Sequence, residues 1–240
     1  MKVTFVGTSH GTPQANRFCT SLFLQVKDSC YIIDAGAPIS PKLIRYGIPH
    51  EQVKALFVTH LHGDHLYGIF EFAELVARRF KESNPKFLLS EEKGITPVKQ
   101  FLNAVQSNKR ELDFSVYGEG EIYRDENVTV TAIPTDHSNL PSYAFLVEAE
   151  GKRVLFTGDM HPEFTEADRL FKGRSFDLVV FEGAHAVLKD NIPFLGSIDT
   201  KKMVINHIYP VRNPEEDIKE IAGRLSFEFF GATDDMTVEI

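Results

Sequence analysis

One short segment, Thr59-His60-Leu61-His62-Gly63-Asp64-His65, constrains this chain more than any other. It sets four side chains able to bind a metal within six positions, between an apolar run and an amphipathic stretch. Buried without partners, such groups would cost several kcal/mol, about the scale of polar burial generally, so packing alone does not account for them. His60 and His62 stand two apart at the end of a strand-like run, and extended backbone projects both imidazoles to the same side. They can share one cation. Asp64 and His65 fall at the turn into the next helix, rotated away from the first pair and able to address a neighbouring cation. Gly63 is expected to let the backbone turn tightly and approach the metals without a Cβ in the way.

The surrounding pattern is a layered α/β chain. Strand-like runs occur at Lys2 to Val6, Ser21 to Val26, Cys30 to Asp34 and Ala55 to Thr59. Apolar residues at helical spacing predict helices over Leu66 to Phe80 and Pro97 to Gln106. The second half repeats the logic, with strands at Asp113 to Tyr117, Asn127 to Ile133, Tyr143 to Glu148, Lys152 to Thr157, Leu178 to Phe181 and Met203 to Asn206. Helices are expected over Glu163 to Phe171 and Glu215 to Leu225, and a last short strand near Phe227 to Phe230. Two β-rich halves with interspersed helices fit two sheets packed face to face with helices outside, a four-layer α/β/β/α sandwich. No linker or low-complexity stretch interrupts it, so residues 1–240 are expected to form a single domain.

Further candidate ligands each follow a strand-like run: His137, Asp159 and His207. Singly they carry little weight, because a lone histidine is usually a solvated or hydrogen-bonded residue. Asp64 also reads as a helix N-cap, and Asp159 after Gly158 as a turn former. Taken together, imidazoles and two carboxylates without thiolates favour zinc, with manganese or iron compatible with the same donors.

Acidic residues outnumber basic ones, 34 to 26, giving a net charge of -8. A molecule so charged repels polyphosphate, which argues against a long nucleic acid held by nonspecific charge. The two cysteines, Cys19 and Cys30, are too few for a disulfide framework and lack C-x-x-C spacing, so they are read as small apolar packing residues in a reducing compartment. The N-terminus does not read as a signal peptide and no segment approaches a membrane span, so a cytoplasmic location is expected. Oligomeric state, monomer or homodimer, stays open.

The His60 to His65 run matches the H-x-H-x-D-H signature of the metallo-β-lactamase superfamily, which the chain resembles over almost its whole length. The resemblance implies the αβ/βα sandwich of that superfamily and two divalent cations. One would be held by His60, His62 and His137, the other by Asp64, His65 and His207, with Asp159 bridging them. Within the superfamily the chain looks most like ribonuclease Z and related phosphodiesterases. The loop Gly7-Thr8-Ser9-His10-Gly11-Thr12-Pro13 followed by Arg17 and Thr20-Ser21, and the segment Ile33-Asp34-Ala35-Gly36, are similar to that branch.

Two departures accompany the likeness. Only 21 residues separate His137 from Asp159, and they read as strand, turn and strand where ribonuclease Z carries a flexible arm that grips transfer RNA. The branch's His-Glu-Ala-Thr motif is met by Phe181-Glu182-Gly183-Ala184, with Phe181 in the histidine's place and His185 close by.

These readings lead to a metal-dependent hydrolase, in which two cations lower the pKa of water from about 16 toward 7 and Asp64 orients it for attack. The expected substrate is a small-molecule or short nucleotide phosphodiester. Hydrolysis of a lactone, thioester or β-lactam is the enzymatic alternative, and a metal-binding scaffold or sensor without turnover the non-enzymatic one.

Overall fold

The computed structural model describes residues 1–240. The first sheet starts from β1 (Lys2–Gly7), β2 (Ser21–Val26) and β3 (Ser29–Ala35), an antiparallel meander. Every residue of β3 is buried, the signature of a strand covered on both faces. From β3 the chain alternates helix and strand: α1 (Ile39–Arg45), β4 (Val53–Phe57), α2 (Tyr67–Arg78), β5 (Lys86–Leu89), α3 (Glu92–Ala104) and β6 (Asp113–Val116). Strands β3 to β6 pair in parallel, because each helical crossover returns the chain to the same end of the sheet.

The second half follows the same plan. An antiparallel run, β7 (Gly120–Arg124), β8 (Thr129–Thr135), β9 (Ser142–Ala149) and β10 (Lys152–Phe156), leads into parallel strands β11 (Leu178–Glu182), β12 (Lys202–Asn206) and β13 (Glu228–Gly231). Between them lie α4 (Ala167–Phe171), α5 (Ile192–Ser197) and α6 (Glu215–Ala222). A final strand, β14 (Thr237–Glu239), crosses back to pair with β1 and completes the first sheet. The orders are β14-β1-β2-β3-β4-β5-β6 and β13-β12-β11-β10-β9-β8-β7.

Three apolar layers hold these parts together. Phe5, Leu24, Tyr31, Phe57, Phe145 and Val204 belong to the cluster between the sheets. Outside the first sheet, Ile69, Phe72, Val76 and Val98 of α2 and α3 pack on Phe23, Ile32 and Phe87. Outside the second, Leu170, Leu195, Ile218 and Ile221 pack on Val179, Phe181 and Ile205. This is the four-layer metallo-β-lactamase sandwich. Between His137 and Asp159 the chain is the hairpin β9–β10, turned by Glu150 and Gly151, both at positive φ.

Several boundaries differ from the sequence expectation for physical reasons. Helix α3 begins at Glu92, so Pro97 lies inside it: Ile95, Val98 and Leu102 form one buried face, and their packing outweighs the hydrogen bond lost at the proline. Helix α4 starts only at Ala167. Before it, the buried Glu166 carboxylate accepts the backbone N–H groups of His161 (2.9 Å) and Asp136 (3.3 Å), and Phe164 takes a positive φ, which holds 161–166 as a loop. Strand β4 ends at Phe57, because the Thr59 N–H is diverted to the Asp34 carboxylate at 2.8 Å. The short elements α1, β5, β7, α5 and β14 left no readable period.

Candidate metal centre

The parallel strands end on one edge, and the candidate ligands lie in the loops just beyond them, where ligands gather in open α/β sheets. His60 to His65 follow β4, His137 follows β8, Asp159 follows β10 and His207 follows β12. Two groups of donor atoms result. In the first, His62 Nδ1 is 2.8 Å from His60 Nε2 and 3.1 Å from His137 Nε2. Asp159 Oδ2 lies 3.6 Å from both His60 Nε2 and His137 Nε2. In the second, Asp64 Oδ2 is 3.2 Å from His207 Nε2 and 3.6 Å from His65 Nε2, and Asp159 Oδ1 is 3.5 Å from His65 Nε2. The two oxygens of Asp159 thus face one group each.

The donor set fits divalent cations. Four ligands about 2.0–2.2 Å from a tetrahedral centre stand about 3.3–3.6 Å apart, the range most of these pairs occupy. His65 Nε2 and Asp159 Oδ1 are buried and have no hydrogen-bond partner in the chain. Native interiors seldom strand such atoms without a ligand to satisfy them. Burial pushes the His60 imidazole well below its usual pKa and takes His137 down to about 4, the neutral form a metal requires. Burial alone would raise Asp159, but His207, His65 and His60 hold it well below the carboxylate range. Asp64 is likewise held low against burial, by the hydrogen bond from His207 and by His65.

Of the alternatives for single residues, capping fails for Asp64: it lies inside the turn Gly63–His65, Leu66 is the cap residue of α2, and the Asp64 carboxylate bonds His207 instead. At Gly63 a Cβ would meet only the far end of the exposed Tyr67 ring, at 2.8 Å, and that ring can swing aside. Close approach of backbone is found at Gly36, where a Cβ would fall 1.9 Å from the Asp64 backbone carbonyl.

A shell of residues orients the ligands, and the sequence pattern pointed to few of them. Asp34, at the end of β3, accepts the Nδ1 hydrogen of His65 at 2.8 Å and turns Nε2 inward. Thr59 spans the same carboxylate and His60 Nδ1, with its hydroxyl 3.0 Å from Asp34 Oδ2 and 3.1 Å from the ring nitrogen. Asp34 and His207 both hold positive φ (58° and 54°), backbone strain of the kind that persists where surrounding contacts enforce it. Phe181 is fully buried and faces away in the outer core. His185 instead reaches the site: its Nε2 is 3.9 Å from Asp159 Oδ2, its Nδ1 3.4 Å from Glu182 Oε2, and its ring lies against His137.

Fold and candidate site together define a metallo-β-lactamase-fold protein that resembles ribonuclease Z. The chain belongs to the family described as anti-Pycsar protein Apyc1, which matches residues 1–226. It is 30% identical over 156 residues to the ribonuclease Z of Limosilactobacillus fermentum, covering 62% of this chain and 49% of that protein. The chain spans about half the length of the curated relatives it matches. Among solved structures, the short form of human tRNase Z superposes with a TM-score of 0.77 at 18% identity, covering 100% of this chain and 99% of that one. The metallo-β-lactamase fold protein YhfI from Bacillus subtilis gives 0.77 at 18% identity, with 99% of each chain covered.

Proposed function

We propose that this protein hydrolyses a small or cyclic nucleotide phosphodiester with two divalent cations, zinc foremost, held by His60, His62 and His137 on one side, Asp64, His65 and His207 on the other, and Asp159 between. The observation that supports the reading is the buried Asp159, whose Oδ2 lies 3.6 Å from His60 Nε2 in one group of donors and whose Oδ1 lies 3.5 Å from His65 Nε2 in the other. Bound there, two cations would supply Lewis acidity toward the phosphoryl oxygens and lower the pKa of the attacking water.

The chain's own residues do the rest. Asp64 accepts a hydrogen bond from the attacking water and sets its line of approach. His185 holds a proton on Nε2, at the face of the site where the departing oxygen would leave. Its Nδ1 lies 3.4 Å from Glu182 Oε2, a carboxylate placed to favour the protonated ring of a donor. Glu182 is fixed in turn, since its Oε2 accepts the backbone N–H of Ala184 (2.7 Å) and of His185 (3.0 Å).

Size selection follows from what surrounds the site. The hairpin β9–β10 offers no arm to hold a folded RNA, and the net charge of -8 adds no general attraction for one. The test compares a nucleoside cyclic monophosphate and bis(p-nitrophenyl) phosphate with a chromogenic lactone and a β-lactam, using protein loaded with zinc. Turnover of the phosphodiesters supports the reading; turnover of the carbonyl substrates alone would replace it.

A further inference from the structure

Beyond the second donor group the chain makes a short, stitched turn. Ile208 donates its N–H to Thr8 O (2.8 Å), His10 donates to Ile208 O (3.4 Å), and Tyr209 donates to Gly183 O (3.2 Å). The segment after His207 is thereby bound both to the N-terminal loop and to the loop that carries His185. Asn213 reinforces the tie, donating through Nδ2 to Gly183 O (3.0 Å) and Ala186 O (2.8 Å). These bonds bring two rings together at the rim: His10 and Tyr209, centroids 4.4 Å apart and tilted by 47°. Arg212 sits over the Tyr209 ring with its Cζ 5.7 Å from the centroid, and its Nη1 donates to His185 O (2.8 Å) and to Ala184 O.

This cluster is built, yet it packs no core. His10 and Tyr209 are both half-exposed, and neither the Tyr209 hydroxyl nor the His10 ring hydrogen-bonds within the chain. Arg212 is exposed, but its two carbonyl bonds fix the guanidinium in advance of any ligand, which lowers the ordering cost of binding. The cluster is also beside the proposed metal centre. Gly11, next to His10, would carry a Cβ 3.6 Å from Asp64 Oδ2, and the His10 N–H is bonded to Ile208, the neighbour of His207. An aromatic face backed by a fixed cation suits a flat, electron-rich ring system, which every nucleobase provides whatever its hydrogen-bonding edge.

We infer that Tyr209, flanked by His10 and Arg212, forms the platform on which the base of a nucleotide stacks while its phosphate lies between the two donor groups. The inference rests on the phosphodiesterase reading and adds the residues that select base-bearing substrates. Tyr67, 59% exposed with its ring beside Gly63, is the competing aromatic.

The experiment reads binding instead of turnover. Calorimetric titration of the zinc-loaded protein with adenosine 5′-monophosphate and with ribose 5-phosphate isolates the contribution of the base. Stacking on one aromatic side chain is worth about tenfold in affinity, so the unsubstituted protein is expected to prefer the nucleotide by roughly that factor. Tyr209→Ala is expected to bring the ratio to near one, and Tyr209→Phe to restore it. No preference in the unsubstituted protein, or a preference that survives Tyr209→Ala and disappears in Tyr67→Ala, would overturn the inference. Because neither probe is a phosphodiester, absence of phosphodiester cleavage would sink the activity reading while leaving this binding result to stand by itself.

Discussion

The carboxylate of Asp34 accepts the Nδ1 hydrogen of His65 at 2.8 Å, and in doing so fixes which nitrogen of that imidazole faces Asp159 and Asp64. A ligand so oriented gives up little on binding, whereas a free imidazole must be ordered first. Outer partners of this kind typically contribute 10- to 100-fold in metal affinity. Asp34→Ala is therefore expected to weaken the proposed zinc site that holds His65 by about that factor, and the one that holds His60 less, through Thr59. Competition titration with a chromophoric chelator measures both; two sites weakened equally would show that Asp34 acts on the fold and not on His65.

Gly36 tests the same edge by volume. Its missing Cβ leaves room for the Asp64 backbone carbonyl, which would lie only 1.9 Å from an added carbon, and Thr20 O would be at 2.7 Å. Backbone cannot yield as a side-chain tip can, so Gly36→Ala is expected to displace the Asp64 loop. The readout is zinc stoichiometry together with thermal melting. Full stoichiometry and an unshifted melting temperature would contradict the packing at this point.

His185 is separable from the ligands by leaving group. If its Nε2 supplies the proton to the departing oxygen, His185→Ala should slow hydrolysis of a nucleoside cyclic phosphate by about 10²- to 10⁴-fold. The same change should cost far less with p-nitrophenolate, which leaves without protonation. Equal losses on the two substrates would assign His185 to holding the site together.

Far from the site, Asp125 joins the two sheets and gives the stability a pH signature. Its Oδ2 accepts the hydroxyls of Tyr31 from the first sheet (2.7 Å) and Tyr123 from the second (3.0 Å). Its Oδ1 accepts the N–H groups of Asn127 and Val128. Burial would raise its pKa, but these hydrogen bonds hold it below the usual carboxylate value. A folded-state pKa that is depressed contributes stability above the unfolded value, near 4, and loses it as pH falls through the folded one. Asp125→Ala is thus expected to destabilise by about 1–3 kcal/mol near neutrality, with the difference from the unsubstituted protein narrowing below about pH 4. Denaturant midpoints at pH 7 and pH 3.5 provide the check, and a constant difference would refute the linkage.

The legible part of this molecule was the part encoded by local pattern. The His60 to His65 run, the buried face of α2 at Ile69, Phe72, Ala73 and Val76, and the short stretch between His137 and Asp159 each announce themselves within a few residues. Metal-competent residues at His137, Asp159 and His207 were visible because each follows an apolar strand. Asp34 and Glu182 stand out in the sequence only through the family likeness, since a carboxylate that orients an imidazole 31 positions away leaves no local trace. Tyr209 and Arg212 escaped notice for the same reason: their partners, His10 and the carbonyls of Ala184 and His185, come from other loops. Helix α3 running through Pro97 and the late start of α4 show tertiary contacts overriding local preference.

The proposed function requires two cations shared by Asp159 for phosphodiester hydrolysis. Metal content and turnover should be measured on one preparation, before and after chelation and after stepwise return of zinc. The expected result is two zinc ions per chain, loss of nucleoside cyclic phosphate hydrolysis when they are removed, and recovery that rises with the second equivalent. Undiminished turnover in metal-free protein, or two bound zinc ions with no phosphodiester hydrolysed, would contradict it.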